Sequence, residues 1–85
     1  MKTVLVTGSN RGIGLELVTQ FLDRGCKVIA TSRKISESKE LLHLENRFSD
    51  RFDILELDLT SDESIDNFVT LIGSRPIDIF VNNAG

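Results

Sequence analysis

Four short apolar runs, each separated from the next by a longer segment of helical period, leave this chain very few folds. The runs are Val4 to Val6, Val28 to Ala30, Ile54 to Leu57 and Ile77 to Val81. They are rich in β-branched residues, and their alternation with helices is the pattern of βαβ units on a parallel sheet. Three of them are too continuous for half-exposed strands, which implies helices covering both faces of the sheet. The first helix is expected to start near Arg11 to Gly14 and run to Arg24, with Leu17, Val18, Phe21 and Leu22 on its buried face and Gly25 as its stop. The second should cover Ser36 to about Phe48, with Ser36 as N-cap and Leu41, Leu44 and Phe48 on one face. The third opens on the capping box Thr60-Ser61-Asp62-Glu63, carries the stripe Ile65, Phe68, Val69 and Ile72, and ends at Gly73 and Pro76. With right-handed crossovers, the order β-α-β-α-β-α-β forms one half of a doubly wound parallel sheet with strand order 3-2-1-4. The ligand crevice then lies at the switch point between the first and fourth strands.

Composition narrows the partners. At 85 residues, 40% hydrophobic and 27% charged, the chain can form a single globular domain with a small core. The net charge of −3 argues against nucleic acid, whose binders present a basic face. The N-terminus reads as a first strand and not as a leader. No apolar stretch approaches the roughly 20 residues of a membrane span, so a cytoplasmic protein is expected. Cys26 is the only cysteine and His43 the only histidine. Neither has partners at ligand spacing, and they are read as a packing residue and a surface residue.

The residues that carry chemistry lie where the strands end. Thr7-Gly8-Ser9-Asn10-Arg11-Gly12-Ile13-Gly14 joins the first strand to the first helix. Gly8 permits the tight turn, Gly12 lets backbone approach a phosphate, and Gly14 allows close packing of helix on strand. The helix N-terminus then offers free N–H donors and the positive end of its dipole to a pyrophosphate. This is a Rossmann-type dinucleotide site. A mononucleotide P-loop would need Lys after the last glycine, where Leu15 stands.

The second strand ends in Ala30-Thr31-Ser32-Arg33-Lys34, with no carboxylate before Glu37. An acid there would take the ribose 2′-hydroxyl of NAD. Arg33 and Arg11 instead suit a 2′-phosphate, so NADP(H) is expected over NAD(H). The competing reading makes Arg33 and Lys34 solvated loop charges. After the third strand, Asp58 has two readings: it accepts from an adenine amino group, or it supports the helix that follows. After the fourth comes Asn82-Asn83-Ala84-Gly85, where Ala84 and Gly85 leave room for a ribose and Asn82 suits a strand-tying role.

In these residues the chain resembles the short-chain dehydrogenase/reductases. Thr7-Gly-x-x-x-Gly-x-Gly14, Asp58-Leu59 and Asn82-Asn83-Ala84-Gly85 match that family's coenzyme motifs in order and spacing. The stretch from Thr7 to Val18 is most similar to the carbonyl-reductase and C-factor branch. The resemblance implies an NADP(H)-dependent oxidoreductase fold and coenzyme contacts from Gly8, Ser9, Asn10, Arg11, Gly12, Ile13, Gly14, Ser32, Arg33, Asp58, Leu59, Asn82, Ala84 and Gly85. It assigns the 2′-phosphate to Arg11 and Arg33. The family's catalytic Ser, Tyr and Lys follow the fourth strand, and no tyrosine occurs in these 85 residues. The expectation is therefore a coenzyme-binding portion, inactive in hydride transfer by itself, with an apolar edge at residues 77–81 open to self-association or to another chain. The alternative is a non-enzymatic NADP-binding or self-assembling module.

Overall fold

The computed structural model describes residues 1–83, apart from the side chain of Glu37. Its elements are β1 (Thr3–Val6), α1 (Gly12–Asp23), β2 (Lys27–Ser32), a 3₁₀ turn (Ile35–Glu37), α2 (Lys39–Arg47), β3 (Phe52–Glu56), α3 (Asp62–Ile72) and β4 (Ile79–Val81). The four strands form one sheet in the order β3-β2-β1-β4. Every pairing is parallel, with Val4 opposite Val28 and Ile79, and Ala30 opposite Ile54. The strand order and the βα alternation agree with the sequence pattern.

The core forms on one face of the sheet. Val4, Val6, Val28, Ala30 and Phe52 meet Val18 and Leu22 of α1 and Leu41 and Leu44 of α2. Fully burying a side chain such as Leu22 contributes roughly 1.5–3 kcal/mol. This cluster takes no residue from α3. Instead α3 packs on β3, and a right-handed crossover from β3 to β4 would place it on the opposite face of the sheet. Arg51 closes the bottom of the core: its Nη1 donates to the carbonyls of Leu22 (3.0 Å), in the last turn of α1, and of Cys26 (2.8 Å), just beyond it. Cys26 packs half-buried against the core, and His43 is exposed.

Several local expectations change. The second helix does not begin at Ser36, because the buried Ser38 hydroxyl bonds the Ser32 hydroxyl at 3.0 Å and breaks the segment into a 3₁₀ turn and a shorter helix. The start of α3 is capped one residue later than expected: Ser61 Oγ accepts from the Ser64 N–H at 3.2 Å. The Thr60 hydroxyl donates instead to the Asp58 carboxylate at 2.7 Å, a charge-assisted bond that turns it away from the helix N–H groups a cap would accept from. Val69, expected in the buried stripe, is 61% exposed, because α3 lies over β3 at the sheet margin and only Ile65, Phe68 and Ile72 turn inward. β3 starts at Phe52 and not Ile54. β4 starts at Ile79 and not Ile77, since the Asp78 carboxylate takes the Thr3 N–H at 2.8 Å in place of a strand carbonyl. Burial on both faces holds for β2 but not for the edge strands, where β3 and β4 are largely half-buried.

Candidate functional site

Parallel strands bring their C-terminal ends to one edge, so each loop leaving that edge faces the others. Here the loops enclose a recess of about 830 Å³, within the range of roughly 300–1,000 Å³ usual for small-molecule sites. Gly8, Asn10, Arg11 and Gly12 line it from the β1 turn, Thr31 to Lys34 from the end of β2, Leu57 to Thr60 from the end of β3, and Asn83 from beyond β4.

The β1 turn is held from both sides. Ser9 is fully buried, and its N–H and hydroxyl both donate to the Thr31 carbonyl, at 3.1 and 3.0 Å. On the β4 side, the Thr7 hydroxyl donates to Asn82 Oδ1 (3.2 Å) and accepts from the Asn83 N–H (3.1 Å). Asn83 Nδ2 donates to the Gly8 carbonyl at 3.1 Å. Gly8 and Gly12 have φ of 60° and 61°, backbone that a side chain disfavours. A Cβ at Gly14 would stand 2.5 Å from the Gly8 carbonyl oxygen and 2.6 Å from Asn83 Nδ2, so only glycine lets α1 seat this close to the turn.

The N-terminus of α1 is left open. Arg11 is the N-cap residue, no side chain caps the helix, and its first turn holds no acid. Arg11 is exposed at the rim of the recess. The N–H groups of this turn and the positive end of the helix dipole are therefore available to an anion.

At the ends of β2 and β3 the recess is lined by the charged residues Arg33, Lys34 and Asp58. Arg33 Nε lies 3.8 Å from Asp58 Oδ1, with the Arg33 side chain 76% exposed, a contact too long and too wet to hold the arginine in place. Asp58 Oδ1 accepts from both the Thr60 hydroxyl (2.7 Å) and the Thr60 N–H (3.0 Å). These two bonds, the hydroxyl first, hold its pKa below the ordinary 3.8, with a smaller contribution from the Arg33 charge. The Asp58 N–H in turn donates to Ser64 Oγ at 2.8 Å, which ties the end of β3 to α3. Asp58 thus stands both on the recess wall and against the following helix.

Among the other expected residues, Ser32 lines the recess with a buried hydroxyl turned to Ser38 and the Lys34 carbonyl, and Leu59 lines it 58% exposed. Ser9, Ile13, Gly14 and Asn82 are not on its walls: Ser9, Gly14 and Asn82 brace the turn, and Ile13 is 73% exposed. Ala84 and Gly85 lie outside the described residues. Thr31, Lys34, Leu57, Thr60 and Asn83, all on the walls, are not assigned to the coenzyme from the sequence, which reads Lys34 as a loop charge, Thr60 as a helix cap and Asn83 only as part of the motif around Asn82. For Asn83 the signal was present, a second amide beside Asn82 at the end of a strand that must meet a glycine turn. No helix among the described residues is long and apolar enough to cross a membrane.

Comparison with known proteins places these features in a family. Residues 2–85 match the family described as short chain dehydrogenase. The chain is 39% identical over 87 residues to 2-dehydro-3-deoxy-D-gluconate 5-dehydrogenase of Bacillus subtilis, covering 99% of this chain and 33% of that protein. It is 37% identical over 89 residues to the short-chain dehydrogenase fogG of Aspergillus ruber, covering 99% of this chain and 26% of that protein. A carbonyl reductase from Pseudomonas aeruginosa, solved in complex with NADP, superposes with a TM-score of 0.90 at 36% identity, over 100% of this chain and 39% of its own. A short-chain dehydrogenase/reductase from Burkholderia multivorans with bound NADP gives 0.89 at 34% identity, over 99% of this chain and 36% of its own. The chain thus spans a third or less of these two curated relatives.

Proposed function

The chain belongs to the short-chain dehydrogenase family, and from that premise we propose that residues 1–85 form the NADP(H)-binding portion of an oxidoreductase. The carrying observation is that Arg11 and Arg33 line the same recess as the β1 turn, with no carboxylate at the end of β2. Gly8, Gly12 and the uncapped start of α1 receive the pyrophosphate, helped by the bracing of Ser9, Gly14 and Asn82. The 2′-phosphate takes charge-assisted hydrogen bonds from Arg33 and Arg11. Asp58 and Leu59 flank the adenine, with the Asp58 carboxylate accepting from its amino group. Ala84 and Gly85, which lie outside the described residues, are assigned by their small size to the side of a coenzyme ribose. When bound, the nicotinamide supplies the hydride that reduces a carbonyl. None of these 85 residues is assigned to proton donation, and by themselves they bind coenzyme without turning it over, in a cytoplasmic setting.

Titration tests the reading. NADPH should bind more tightly than NADH, and Arg33→Ala should weaken NADPH by about ten- to a hundredfold, the worth of one charged hydrogen bond, with NADH nearly unchanged. Equal affinities, or no loss in the variant, would overturn it.

A second reading, a module that associates through β4, is favoured by Phe80, which stands at the sheet edge 60% exposed. It predicts a concentration-dependent mass in light scattering that Phe80→Lys abolishes.

A further inference from the structure

The three donors around Asp58 all converge on one of its oxygens. Thr60 contributes its hydroxyl at 2.7 Å and its N–H at 3.0 Å to Oδ1, and Arg33 Nε approaches the same atom at 3.8 Å. Among the described residues no hydrogen bond reaches Oδ2, although the side chain is only partly exposed and stands on the recess wall. The carboxylate is thus anchored at one oxygen and keeps the other without a hydrogen bond from the described residues, on a side chain that lines the recess.

We propose that Thr60 is a positioning residue that makes the site selective for the base of its dinucleotide. Resting on the coenzyme reading above, the inference adds a residue and a discrimination that reading does not contain. An ionised carboxylate can only accept. Its open oxygen rewards an amino group at position 6 of a purine and opposes a carbonyl there, where two acceptors would meet. The N–H that such a base carries at position 1 is a donor one ring atom away, which a carboxylate fixed at one oxygen is not free to swing toward. Without an anchor, the carboxyl can rotate and turn toward Arg33 or solvent, and the distinction between amino and carbonyl fades. With Oδ1 tied by a hydroxyl and an N–H of the same residue, rotation breaks two hydrogen bonds. The same two bonds also favour the ionised form, so the carboxylate stays an acceptor further into the acid range than an ordinary aspartate.

The test compares NADPH with its hypoxanthine counterpart, in which a carbonyl replaces the adenine amino group, by calorimetric titration of the protein and two variants. Thr60→Val removes the hydroxyl at nearly constant shape, and Thr60→Ser restores it. The native protein should prefer NADPH over the counterpart. Thr60→Val should shrink that preference by about three- to tenfold, and Thr60→Ser should return it. Thr60→Val should also raise the Asp58 titration, followed by carboxyl NMR, toward its ordinary value without any coenzyme present. An unchanged preference in Thr60→Val, or equal weakening of both coenzymes, would overturn the positioning role. Failure of the native protein to bind NADPH at all would instead overturn the coenzyme reading, and this inference with it.

Discussion

The N-termini of α1 and α3 follow strands at the same edge of the sheet, yet they are built for opposite ends. The start of α3 is self-sufficient: Ser61 caps the Ser64 N–H, and Asp62 and Glu63 neutralise the helix dipole in the first turn. The start of α1 has none of this. Its N-cap is Arg11, it has no side-chain cap, and its first turn, Gly12-Ile13-Gly14, contains no acid. Stability alone would favour the α3 arrangement at both places. A helix that forgoes its cap, beside a turn braced from two sides, leaves its donors available to an anion.

The largest effect should come from making α1 resemble α3. Arg11→Asp places a capping carboxylate where the pyrophosphate is proposed to sit. It should lower NADPH affinity by about a hundredfold or more, through loss of one cation and gain of an anion, while stabilising the apo protein by about 0.5–1 kcal/mol. Titration and urea unfolding read the two quantities separately, and a variant that loses both binding and stability would break the comparison.

Gly14→Ala tests the bracing. The new Cβ would press on the Gly8 carbonyl and Asn83, backbone and a bonded amide that cannot easily retreat. Unfolding free energy should fall by about 1–3 kcal/mol, with coenzyme affinity falling as the turn shifts. Ser61→Ala is the control on the other side: it should cost about 1 kcal/mol of stability in the same assay and leave NADPH binding nearly untouched.

The smallest effect is the acid response of Asp58. Its folded pKa lies below the ordinary 3.8, so the group contributes stability that is fully present above about pH 4 and is lost as the pH falls through the lowered value. Asp58→Asn should therefore flatten the stability profile below pH 4 and leave it parallel to the native curve near neutrality.

The features legible in the sequence are those fixed by neighbours a few residues apart. The β1 turn declared itself through the spacing of Gly8, Gly12 and Gly14 between an apolar run and a helical one, and the parallel order 3-2-1-4 followed from alternation and handedness. What was missed depended on partners distant in the chain or on a choice among acceptors. Thr60 faced both the Glu63 end of a capping box and the Asp58 carboxylate, and took the carboxylate. Ser38 left the helix-capping role open because a buried partner, Ser32, stood across the turn. Asn83 became a brace only once β4 lay beside β1, which brings it to Gly8 across 75 positions of sequence. The exposure of Val69 reflects where α3 sits over the sheet, which no local pattern records.

The central claim is that the uncapped start of α1 and the basic end of β2 together select a phosphorylated dinucleotide. Parallel calorimetric titrations of the protein with NADPH and NADH test it most directly. The account predicts tighter binding of NADPH by about tenfold or more, with the difference shrinking as salt screens the exposed Arg33 and Arg11. Equal affinities, or a preference for NADH at low salt, would contradict it.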